Sequence, residues 1–216
     1  MSRPRPADHP QLPEPRIGVL LINLGTPDAP EVRAVRRYLA EFLSDPRVIE
    51  IPKLAWKPIL HGVILRTRPK KSAEAYNQIW TNEGSPLRAI ARRQAEALRH
   101  RLPSISVHYA MRYGHPGIAA ALDNMTREGC TRILAAPLYP QYSAATTATA
   151  NDAVFGALAR MRWQPAIRTL PPYYDDPLYI DALASNLSRQ LAALDFQPER
   201  LLLSFHGMPV DRKSVV

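Results

Sequence analysis

The chain has 216 residues, 46% hydrophobic and 22% charged, the proportions of an ordinary globular protein with one large domain or two small ones. Its single cysteine, Cys130, excludes an internal disulfide and any iron–sulfur cluster held by about four thiolates of this chain. A formal net charge of +9 leaves nucleic acid, an anionic membrane surface or an acidic small molecule as partner classes. The charges are scattered, however. The Arg36–Arg37 and Arg92–Arg93 pairs both fall inside helical patterns, and no zinc-knuckle or aromatic RNA-binding signature is present, so no nucleic-acid partner is expected.

Met1 to Arg16 is Pro-rich and polar and reads as a disordered tail. It has no apolar core, so it is not a secretory signal, and a cytosolic protein is expected. No later stretch approaches the roughly 20 apolar residues of a membrane span. Ile17 to Leu24 is a continuous apolar run, the pattern of a strand buried on both faces of a parallel sheet. The turn GTPDAP leads to a helix over Glu31 to Leu43, stopped by Pro46. Arg47 to Ile51 reads as a short edge strand. Lys53 to Leu65 carries an apolar face of Trp56, Ile59, Leu60, Val63 and Ile64, yet Pro58 and Gly62 make it a poor regular helix. Helices follow over Ser72 to Trp80 and Leu87 to Leu102, separated by EGSP.

The rhythm then becomes regular. Strands are expected over Ile105 to Met111, Arg132 to Leu138, Pro165 to Leu170 and Leu201 to Phe205. Helices are expected over Pro116 to Glu128, Ala144 to Met161 and Pro177 to Leu194. Alternating strands and helices imply βαβ units, a parallel sheet and helices on both of its faces. Such sheets bind ligands outside the carboxyl ends of their strands. At that edge the sequence places Asn23, Gly25 and Thr26; Arg112, Tyr113 and His115; Tyr139, Gln141, Tyr142, Ser143, Thr146 and Thr147; and His206. Aromatic walls, an arginine and hydroxyls suit a flat aromatic ligand with anionic edges.

Each feature also has a plainer reading. NLGTP lacks both GxGxxG and the P-loop Gly-Lys-Ser/Thr, and reads equally as a strand-to-helix turn. Arg112 and Tyr113 read as surface residues, and the tyrosines of PLYPQY as core packing. His206 reads either as structural or as a titrating group at the mouth of a strand.

Taken together, NLGTPDAP, AEFLSDPRV, EGSPL, AMRYGHP, PLYPQYSAATTATA and SFHGMP resemble, in order, segments of the bacterial ferrochelatases. These enzymes insert ferrous iron into protoporphyrin to make haem. The resemblance runs from about Ile17 to Pro209. It implies a Rossmann-like, chelatase-type α/β fold, with a porphyrin cleft between two similar domains, the second largely missing here. The implied organisation is a tail over 1–16, the first domain over 17–200 with a lip insertion around 53–85, and the first strand of the second domain plus a non-family tail over 201–216.

The resemblance further implies that His206 is the catalytic, metal-site histidine. Arg112, Tyr113, Tyr142, Ser143 and Ser85 are implied to line the porphyrin pocket, with Arg66 and Arg68 near the lip. Iron and porphyrin are substrates, and no prosthetic group is implied. VDRKSVV departs from the family's continuation, so a chain diverging at about Val210, weakly active or inactive alone, is expected. A cobalt or nickel tetrapyrrole chelatase and a non-catalytic porphyrin-binding fragment remain alternative readings. Peripheral membrane contact through the Trp56–Ile64 face is a further one.

Overall fold

The computed structural model describes residues 15–204 and 207. Four parallel strands form one sheet in the order β2-β1-β3-β4. They are β1 (Arg16–Gly25), β2 (Ser106–Tyr113), β3 (Cys130–Pro137) and β4 (Ala166–Thr169). β1 is central, pairing with β2 from Gly18 to Gly25 and with β3 from Arg16 to Ile22. That explains its uninterrupted apolar sequence: both of its faces are covered. Leu20 and Ile22 pack with Leu122, Met125 and Val154, from helices α5 (Ile118–Arg127) and α6 (Thr149–Leu158). Val19 and Leu21 point to the opposite face, against Ala95 of α4 (Pro86–Arg101) and Val107.

A third cluster sits at the carboxyl end of the sheet. Helix α1 (Val32–Phe42) contributes Val35, Tyr38 and Leu39 to it, and Tyr113 closes it from the end of β2. Helix α2 (Lys53–Ile59) runs through a π-helical turn over Leu60–Ile64 into α3 (Leu65–Ile79), which packs on α1. Aromatic edges fasten this layer, with Tyr38 meeting Tyr76 at 6.4 Å and Phe42 meeting Tyr113 at 5.1 Å between ring centroids. The last helix, α7 (Pro177–Ala192), has Asp176 as its N-cap, accepting from Leu178 N at 2.9 Å.

The strand order carries a functional consequence. The chain leaves β1 to one side for β2, then crosses back to the other side for β3. The reversal lies between β1 and β3, where open α/β sheets place their ligand crevice. On the other side of β1, two glycines let the ends of β1 and β2 approach each other. Gly25 has φ +115, and a Cβ on it would lie 1.9 Å from the Tyr113 carbonyl oxygen; Gly114 has φ +82, with Thr26 O 2.7 Å from such a Cβ.

Three expectations are corrected. Arg47 to Ile51 is no strand: the Asp45 carbonyl accepts from Val48 N and Ile49 N, and Asp45 Oδ1 accepts from Arg47 N at 2.8 Å. An Asp-Pro turn thus satisfies the backbone locally and competes with pairing.

The Lys53–Leu65 segment is helical, with the π turn taking up one extra residue near Pro58 and Gly62. Its supposed single apolar face is split. Leu60 is fully buried, and the Trp56 indole donates to Leu43 O at 2.6 Å, while Ile59 and Val63 face outward.

Leu201 to Ser204 forms no strand. Leu202 and Leu203 stay exposed, because no element among the described residues pairs with them or covers them.

Candidate active site

Asp45 organises the ligand edge. It sits in the turn after α1, and its side chain is only 5% exposed. Oδ2 accepts from the Arg112 guanidinium, from the Thr149 hydroxyl and, at 2.8 Å, from the Tyr113 hydroxyl. Arg112 Nε donates in turn to Thr149 O at 2.9 Å and to Thr149 Oγ1 at 2.7 Å. The guanidinium also lies 4.3 Å from the centroid of the Tyr113 ring. One carboxylate therefore ties the end of β2 to the start of α6 and to the α1–α2 turn.

The electrostatics follow from the contacts. Burial alone would raise the Asp45 pKa. Donation from Thr149, Arg47 N and Tyr113, with the charge of Arg112, outweighs it and holds the carboxyl below its usual range. Burial pushes the Tyr113 phenol well up, so it stays a neutral donor.

A half-exposed pair stands beside this buried network. Arg47 donates through Nε and Nη2 to the two carboxylate oxygens of Asp152 in α6, the second contact at 3.0 Å. Farther along the edge, four buried polar atoms find no partner among the described residues: Thr26 Oγ1, Tyr139 Oη, Thr147 Oγ1 and Asn151 Oδ1. Thr26 follows β1, Tyr139 follows β3, and Thr147 and Asn151 flank the start of α6, so all four belong to the elements at the β1/β3 switch point. Buried polar groups are normally satisfied, so this corner suits a polar-edged ligand or ordered water.

The residues singled out from sequence divide as follows. Arg112 and Tyr113 come together, but Tyr113 is fully buried, and so offers no ligand-facing wall as expected of it. Arg112 is committed inward to Asp45 and Thr149. Ser143 is buried, and its hydroxyl caps the π turn over Ala144–Ala148 by accepting from Ala145 N at 3.2 Å. Tyr142 keeps 37% exposure and presents an open face. Ser85 is buried at the N-cap of α4, apart from the Asp45 hydrogen bonds.

His206 lies outside the described residues. Among the described residues, no group of three or more His, Cys, Asp or Glu is placed to hold a metal ion.

Sequence reasoning missed Asp45, Thr149, Asn151 and the Arg47–Asp152 pair. The one signal for them in the sequence is Asp-Pro shortly after an amphipathic helix, a pair that serves as a turn as well as a stop.

The parallel sheet, with helices on both of its faces and a switch point between β1 and β3, defines a Rossmann-like α/β domain. The family model for ferrochelatase matches residues 16–214. The chain is 54% identical over 207 residues to the ferrochelatase of Rhizobium meliloti, covering 94% of this chain and 61% of that protein. To the ferrochelatase of Mesorhizobium japonicum it is 55% identical over 199 residues, with 90% and 56% covered. To that of Agrobacterium fabrum it is 53% identical over 209 residues, with 94% and 61% covered. The chain belongs to the ferrochelatase family. It spans between 56% and 61% of the length of these curated relatives.

Proposed function

We propose that this chain supplies the porphyrin-binding edge, and one catalytic group, for insertion of ferrous iron into protoporphyrin. The observation that carries the reading is the family match over residues 16–214, with the family's loops gathered at the β1/β3 switch point. Free porphyrin is planar and holds two pyrrole N–H protons, so metal enters only as the ring distorts and those protons leave. The protein must therefore grip the rim and place a proton acceptor over the ring centre. Tyr142 offers a face for stacking. Arg112 and Tyr113 act from beneath, by holding α6 and the loop before it in place.

His206 carries the proton or ligates incoming iron, since an imidazole with an ordinary pKa near 6.5 does either at neutral pH. Location in the cytoplasm belongs to the same reading. Peripheral contact with the inner membrane is supported by Leu54, Ile59 and Val63, exposed beside Lys53 and Lys57. No helix among the described residues is long and apolar enough to cross a membrane.

The test is titration of the chain with protoporphyrin, followed by addition of ferrous iron, cobalt or nickel. Saturable binding, with the metal-insertion spectrum appearing for ferrous iron and lost in His206→Ala, supports the proposal. Binding without insertion of any metal reduces it to a porphyrin-binding fragment. Preference for cobalt or nickel moves it to another tetrapyrrole chelatase.

A further inference from the structure

Two arginine–carboxylate pairs stand at the ligand edge, and they differ in what they can release. The Arg112–Asp45 pair is internal, with side chains 18% and 5% exposed. Its carboxylate also holds Tyr113 and Thr149, so opening it strands a buried charge. The Arg47–Asp152 pair is open to solvent, at 40% and 51%. Exposed pairs contribute little, and a guanidinium fork accepts any carboxylate in the same two-bond geometry. An incoming carboxylate can therefore take the place of Asp152 at small cost, whereas none can take the place of Asp45.

Arg47 is also aimed. Its backbone N–H is fixed on Asp45 Oδ1, within the turn that Asp45 and Pro46 build. Its guanidinium is held in the charged form first by Asp152, with the Tyr142 phenol and Asp45 near enough to add to the effect. Through Asp152, Arg47 is tied to the first turn of α6, the helix that follows the loop carrying Tyr142.

We propose that Arg47 is the carboxylate-binding cation of this edge, and that Asp152 occupies its fork until a carboxylate of a planar anionic ligand displaces it. The identity of that ligand rests on the porphyrin reading above.

The experiment compares protoporphyrin, which carries two carboxylates, with its dimethyl ester, both presented in dilute detergent and followed by absorbance. Binding is measured for the unaltered chain, Arg47→Gln and Asp152→Asn, with far-UV circular dichroism as the check on folding. Arg47→Gln is expected to weaken protoporphyrin binding about fivefold, the scale of one exposed charge pair, and to leave the ester within about twofold. Asp152→Asn frees the fork and is expected to strengthen protoporphyrin binding by roughly two- to fivefold. Opposite signs separate a binding role from a structural one, which would weaken both variants alike. Weakening by both variants, or no change in either, overturns the assignment while leaving porphyrin binding intact. An unaltered chain that binds neither porphyrin overturns the porphyrin reading and this assignment together.

Discussion

Replacing Asp45 by Ala removes one side chain and leaves four donors without their acceptor: Arg112, Tyr113, Thr149 and Arg47 N. Tyr113 and Thr149 can turn to each other, since their oxygens already lie 3.3 Å apart. Arg112 cannot escape so easily: its side chain is 18% exposed and pinned at Nε by Thr149. Breaking a buried pair from one side costs about 3–5 kcal/mol, and the partial exposure of Arg112 argues for the lower figure, about 3 kcal/mol. With a urea m-value of about 2 kcal/mol/M, the midpoint should fall by roughly 1.5 M at unchanged m. Replacing both partners, as in Asp45→Leu with Arg112→Met, should recover most of that loss, because no unpaired charge remains. Chemical denaturation of the unaltered chain, Asp45→Leu, Arg112→Met and the double variant, with Asp45→Ala alongside, is the assay. A single-variant loss below about 1 kcal/mol, or a double variant no better than the single ones, would refute the buried-pair account. The pH dependence has a fixed sign. The folded-state pKa of Asp45 is lowered, so its contribution is complete above the unfolded carboxylate value near 4 and is lost as pH falls below it.

Gly25→Ala should be among the most damaging small substitutions, because the added Cβ meets the backbone of Tyr113 and the φ of +115 disfavours any side chain. A loss of about 2 kcal/mol or more, roughly 4–8 °C in Tm for a domain of this size, is expected by thermal melting. Cys130 is fully buried, and burial raises its thiol pKa first of all. It should therefore resist an aromatic disulfide reagent in the native protein and react only at the rate of unfolding; rapid labelling at pH 8 would contradict this.

The sheet was legible because its signals are local. IGVLLINL can be buried on both faces only as a central strand, and β1 is one. The helices after each strand announced themselves by spacing, and the ligand edge followed from topology. What failed was of two kinds. RVIEI has strand-like residues, but the Asp45 side chain and carbonyl two to four positions away satisfy its backbone as a turn. LLL at Leu201–Leu203 has the composition of a buried strand, yet burial depends on a neighbour that the segment itself cannot specify. The site was harder for a related reason. Asp45 meets Arg112 and Thr149 across 67 and 104 positions, and Arg47 meets Asp152 across 105. Pairings at that distance leave no trace in local pattern, so an arginine expected to face the ligand proved to be held from behind.

The central claim is that porphyrin binds at the β1/β3 switch point, and amide hydrogen exchange with and without protoporphyrin tests it most directly. Protection is expected in the loops after β1, β2 and β3, at Leu24–Asp28, Gly114–Gly117 and Tyr139–Thr147. None is expected at the opposite edge, around Leu102–Ile105 and Gly129. Protection at that opposite edge, or binding with no protection in the three loops, would contradict the account.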